Sequence, residues 1–168
     1  YYTKVSNINS VFIEDGDTES IKVYGSRLSN VVDTVLKTTK KDKVIIVAHS
    51  MGGLVAREYA AQTNGKYVDK IITIGTPNNG IWKRDIQANV WFTLGNGCNI
   101  GHPGIECDEM HHDSSFLIDL NSEGNIGESK IYTIAGQCGV SDVGIAGDDV
   151  FRVKSVELSW AKNNYVVN

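Results

Sequence analysis

Apolar positions change their spacing several times along this chain, and each change marks a different element. From Glu19 to Lys37, Ile21, Tyr24, Leu28, Val31, Val32 and Val35 recur at three- and four-residue steps. That period predicts an amphipathic helix, with Asp17 or Thr18 as its N-cap and lysine at its far end. Val44 to Ala48 is a short β-branched run without polar alternation, which predicts a strand buried on both faces of a parallel sheet. Met51 to Gln62 reads as a second helix. Ile71 to Ile74 and Ile131 to Ala135 read as further strands, the first ending at Gly75, Thr76 and Pro77 and the second at Gly136. Alternating helix and strand imply crossover connections, and hence an α/β fold with a mainly parallel sheet.

Two stretches interrupt this rhythm. Asn78 to Asp113 is longer than connections between elements usually are, with Trp82, Trp91, Phe92 and Leu94 in its first half and Gly, Asn, His and acidic residues in its second. Gly136 to Asp149 is a polar loop following a strand, the place where ligand-side residues of open α/β sheets collect.

Composition narrows the picture. The 168 residues are 41% hydrophobic and 21% charged, enough for one core and a single domain over 1–168. A net charge of −4 argues against a nucleic-acid partner, and the basic cluster from Lys37 to Lys43 holds Asp42 and reads as a solvated helix end. No apolar run approaches the roughly 20 residues of a membrane span, and Tyr-Tyr-Thr-Lys lacks the order of a signal peptide. Of the three cysteines, Cys98 and Cys107 lie close together in a loop-like stretch, where a disulfide competes with two reduced thiols as the reading.

The chemistry concentrates in Val44-Ile-Ile-Val-Ala-His-Ser50-Met-Gly-Gly-Leu-Val-Ala-Arg57, a buried strand, a tight turn and a helix. A serine among small residues at such a turn is forced into strained backbone that lifts its hydroxyl beside the helix N-terminus. The N–H of Met51 is then placed to donate to an oxyanion, and a side chain at Gly52 or Gly53 would meet the strand or fill the approach of a substrate. Ala48 stands where G-x-S-x-G has its first glycine, and it is small enough for the turn. The alternative is a serine that merely caps the following helix.

Four ordered segments carry a family resemblance. Ala48-His49-Ser50-Met51-Gly52-Gly53 with Leu54-Val55-Ala56-Arg57 resembles the nucleophile elbow of bacterial and archaeal lipases of the α/β-hydrolase superfamily, and of GPI-inositol-deacylase-like hydrolases. Ile74-Gly75-Thr76-Pro77-Asn78-Asn79-Gly80 is similar to their strand-end G-T-P-x-x-G. Ser115 to Asn121 resembles the helix after their lid, and Ile131 to Gly136 the strand leading to their catalytic acid. The resemblance implies an α/β-hydrolase fold and a triad carboxylate at Asp148 within Gly147-Asp148-Asp149-Val150-Phe151, with Asp149 and then Asp142 as alternatives; Ser155 also matches, while Arg152 replaces a usual proline. It implies a base C-terminal to the acid, where this chain has no histidine; Asn164 to Asn168 reads as the start of the strand that leads to it. His49, His102, His111 and His112 fit that role poorly. The strand ending in His-Gly that supplies a second oxyanion donor in these lipases has no counterpart before Ser6. The chain is therefore expected to be incomplete at both ends, and nearly inert by itself.

The same resemblance makes residues 81–113 a candidate lid, in which Ile81, Trp82, Ile86, Val90, Trp91 and Leu94 would form an apolar helix face; a helix packed permanently on the core is the competing reading. His49, Thr76, Pro77, Trp82 and Trp91 become candidate substrate contacts. His102, Glu106, Cys107, Asp108, Glu109, His111 and His112 gather potential metal ligands, yet their loose spacing favours solvated loop residues, and no cofactor is expected. The expected activity is carboxylic-ester hydrolysis of acyl lipids through an acyl-enzyme on Ser50; the compartment is left open, with composition and the Cys98–Cys107 pair leaning toward an extracytoplasmic or secreted setting. Acyl transfer to another alcohol, or a catalytically dead binding domain, are the alternatives.

Overall fold

The computed structural model describes residues 19–81, 104–122, 126–137 and 153–167. Four strands, β1 (Val44–His49), β2 (Val68–Ile74), β3 (Lys130–Gly136) and β4 (Asn163–Val167), form one sheet in the order β1-β2-β3-β4. Every neighbouring pair is parallel. All four strands therefore deliver their C-terminal ends to one edge. Backbone bonds carry the alignment past the strand ends: Ser50 N–H donates to Ile74 O at 3.0 Å, Gly75 N–H to Ile134 O at 2.9 Å and Gln137 N–H to Val167 O at 2.7 Å.

Helices α1 (Ile21–Thr39) and α2 (Met51–Gln62) pack on each other and against β1. Beneath them, Val32, Ala56, Tyr59, Ala60, Val68, Ile71, Ile126, Ile131 and Leu158 make the main core, with Ile46 packed against it. Register explains the segregation. Ile46 is level with Ile71, and Ile71 with Ile131, on the helix-covered face, whereas Val47, Ile72 and Tyr132 form a row on the other. His49, Ile74, Ile134 and Tyr165 form the next row of that second face.

The expectation that β1 is buried on both faces does not hold. Its residues alternate between half-buried and exposed, with Ile45 56% and Val47 62% exposed, because none of the described helices covers that side. The strand forecasts were otherwise short by one to three residues, β2 beginning at Val68 rather than Ile71. The cap of α1 is also not Asp17 or Thr18 but Ser20, whose side chain accepts from Lys22 N–H. The Glu109 carboxylate reinforces that start, accepting from Ser20 Oγ and from Ile21 N–H at 2.6 Å each. A carboxylate there offsets the positive end of the helix.

The return of the long connection builds a second core. Helices α3 (Ile105–Glu109) and α4 (Ser115–Leu120) bring Met110, Phe116, Leu117 and Leu120 against Ile21, Leu54 and Ile81. Ile81 is thus a core residue in a bridge to His111, not part of an apolar helix face, while residues 82–103 lie outside the described residues. A last short helix, α5 (Val153–Val156), leads into β4. Among the described residues no helix is long and apolar enough to cross a membrane.

Candidate active site

The site is built where β1 turns into α2 at the C-terminal edge of the sheet. Ser50 has φ 53° and ψ −138°, and its side chain makes no capping hydrogen bond to the helix it precedes. A left-handed conformation at a residue with a Cβ costs about 1–3 kcal/mol and persists only where the surroundings impose it. A serine kept merely as a cap would bond to N–H groups of the first turn, which this one does not. Met51 opens α2, so its N–H belongs to the first turn, whose donors have no acceptor within the helix.

Thr76 holds the turn from the next strand. It is fully buried, and its Oγ1 donates to Ser50 O at 2.8 Å. Gly53 makes this approach feasible: a Cβ there would lie 2.1 Å from Thr76 Oγ1. At Gly52 a Cβ would meet nothing within 4 Å. Steric need for glycine therefore rests on position 53, and at position 52 only the approach side is left to be filled. Gly53→Ala is expected to lower unfolding free energy by about 1–3 kcal/mol through overpacking, and Gly52→Ala to change it by less than about 1 kcal/mol. Urea unfolding of the two variants checks the difference.

Below the turn lies a polar network that sequence reasoning missed. Arg57, on α2 and fully buried, donates from Nη1 to Asn78 Oδ1 at 3.0 Å and from Nη2 to Leu120 O at 3.0 Å and Asn121 Oδ1 at 2.6 Å. Its guanidinium lies 5.4 Å from the centre of the Trp160 ring, and Trp160 Nε1 donates to Asn121 O. Burial pushes the guanidinium down to about 9, which leaves it charged at neutral pH. Asn78 in turn donates to Thr73 Oγ1 and Val156 O, and Asn79 and Ser155 tie the β2 loop to α5. The loop carrying Thr76 is thereby fixed to α2, α4 and the approach to β4. The sequence signal was an arginine on the inward stripe of α2, three residues after Leu54 and three before Ala60.

The remaining candidates sort by position. His49 is exposed at the end of β1, on the face shared with Ile74, and Pro77 is buried in the β2 loop. The hydroxyl of Thr76 is engaged by the Ser50 carbonyl. Asp148, Asp149, Asp142, Trp82, Trp91, His102 and Cys98 lie outside the described residues. Cys107 is disulfide-bonded. His111 and His112 stand together after α3, with His111 Nδ1 hydrogen-bonded to the Asp113 carboxylate.

This arrangement has recognisable relatives. Residues 16–95 match the family described as alpha/beta hydrolase fold. The mature lipase BlEst2 of Bacillus licheniformis superposes with a TM-score of 0.66 at 20% identity, over 92% of this chain and 70% of that one. The chain has the α/β-hydrolase fold. Triacylglycerol lipases of Pseudarthrobacter phenanthrenivorans and Burkholderia plantarii are each 34% identical to this chain over 89 residues, 53% of its length. The chain spans about a quarter of the length of those relatives, 26% and 24% respectively.

Proposed function

We propose that this chain carries the nucleophile of a carboxylic-ester hydrolase that acts on acyl lipids, with Ser50 forming the acyl-enzyme. The observation that supports it most is the left-handed Ser50 at the C-terminal edge of a parallel sheet, uninvolved in capping. Ser50 Oγ attacks the ester carbonyl while an imidazole base takes its proton, and the oxyanion is held by the Met51 N–H. Collapse expels the alcohol, which receives the proton from the base. Water, activated by the same base, then releases the acid.

Asp148 is the proposed carboxylate that orients the base. Its segment leaves β3 at Gly136, on the edge where Ser50 stands, and returns through α5, which is bonded to the Thr76 loop. The base and a second oxyanion donor are proposed to lie outside residues 1–168; β4 delivers its chain to this same edge. Acyl lipids are the favoured substrate because the similar curated proteins are triacylglycerol lipases, and Trp82, Trp91 and Leu94 are the apolar residues proposed to meet them from the candidate lid, 81–113.

A fluorophosphonate probe tests the reading. Incubated with the full-length gene product, it is expected to modify Ser50, as mapped by peptide mass spectrometry, and to stop hydrolysis of a triacylglycerol emulsion. Heat-denatured protein should take no label. Full activity with Ser50 unmodified would exclude the proposal.

A further inference from the structure

The geometry points to a transition-metal site at the neck of the 82–103 segment, made by His111, His112 and Asp113 and taking a zinc-class divalent cation. One ligand atom from each of the three residues lies within 4.8 Å of the others. The imidazole rings are 4.9 Å apart, and His111 Nδ1 already faces Asp113 Oδ1. Because His111 Nε2 is buried, Nδ1 is the ring atom a cation can reach. Two imidazoles and a carboxylate form the borderline nitrogen and oxygen donor set that zinc-class ions prefer, leaving a fourth position for water. A cation bound at Nδ1 would take the place of the hydrogen bond between His111 and Asp113, the neutral imidazole carrying its one proton on Nε2.

The backbone that carries these ligands is fixed in advance, which lowers the ordering cost of binding. Ile81 N–H donates to Met110 O and His112 N–H to Ile81 O, closing the neck, while His111 N–H donates to Asp108 O and Ser114 N–H to His111 O. Gly80, at φ 82°, lets the His112 backbone lie against it; a Cβ there would be 2.5 Å from His112 Cα. Glu109 anchors the preceding helix to the start of α1, and Ser114 caps the following one. The surroundings favour a cation. Between Arg84 and Lys130 there is neither lysine nor arginine, and Glu106, Asp108, Glu109 and Asp119 flank the trio. A metal here would clamp the returning chain to Ile81, where the long connection leaves the core.

The test uses full-length protein stripped by chelator and titrated with Co²⁺, followed by its visible absorption, and with Zn²⁺ by calorimetry. One equivalent is expected, with a low-symmetry Co²⁺ spectrum. His111→Ala, His112→Ala and Asp113→Asn should each weaken binding at least about tenfold. Circular dichroism of the metal-free variants verifies folding, and the melting temperature of the parent, but not of His112→Ala, should rise with saturating Zn²⁺. Unchanged affinity in His112→Ala, or loss of binding in His102→Ala instead, would overturn the assignment. A Co²⁺ spectrum no different from that of the hydrated ion would do the same.

Discussion

Ser50→Ala in the full-length gene product is expected to lower ester hydrolysis by a factor on the order of 10⁶, because nucleophile and base act as a unit. The same substitution should leave stability nearly unchanged. Ser50 caps nothing, so no capping bond is lost, and alanine suffers the same strain at φ 53°. Ser50→Gly separates the two effects. It relieves the left-handed backbone, so it is expected to be as inactive as Ser50→Ala yet more stable by about 1 kcal/mol. Release of p-nitrophenol from an acyl ester, set beside urea unfolding of the three proteins, checks both halves. More than about a tenth of parental activity in Ser50→Ala would remove Ser50 from the chemistry.

Arg57→Met should destabilise the fold by about 2–4 kcal/mol. Charge-assisted hydrogen bonds are worth about 1.5–3 kcal/mol each, and the relief of taking a charge out of the interior returns part of that loss. What remains is a set of acceptors, the buried Asn78 Oδ1 and Leu120 O and the half-buried Asn121 Oδ1, with no donor of matching reach. Arg57→Lys is expected to recover little, since an ammonium on a single stem cannot serve Asn78 and the end of α4 together. The midpoint of urea unfolding should fall in both variants with little change in slope. A shift under about 0.5 kcal/mol for Arg57→Met would show that the network contributes little to stability.

Much of this fold was legible because its elements carry strong local signals. The runs Val44 to Ala48 and Ile131 to Ala135 admit only strands, and the stripe from Ile21 to Val35 only a helix. The turn at Ser50 was legible for the same reason, since its strand, small residues and helix are contiguous. Other features depend on residues far apart. Ser20 caps α1 in concert with Glu109, 88 or 89 residues later, which no reading of Asp17 or Thr18 could anticipate. Arg57 meets partners 21 and 64 residues away. Helices α3 and α5, of five and four residues, are too short to show a period. The trio His111, His112 and Asp113 was only partly visible, because Asp113 joins it through the turn that the Ile81 bridge imposes.

The uncovered row on β1 has a practical bearing. Among the described residues β1 pairs on one side alone, and Ile45 and Val47 stand exposed beside its other margin. Such a margin is a template for intermolecular strand pairing. Preparations of residues 1–168 should therefore gain scattering as concentration rises, and a lysine introduced at position 45 should act as a gatekeeper that keeps them clear.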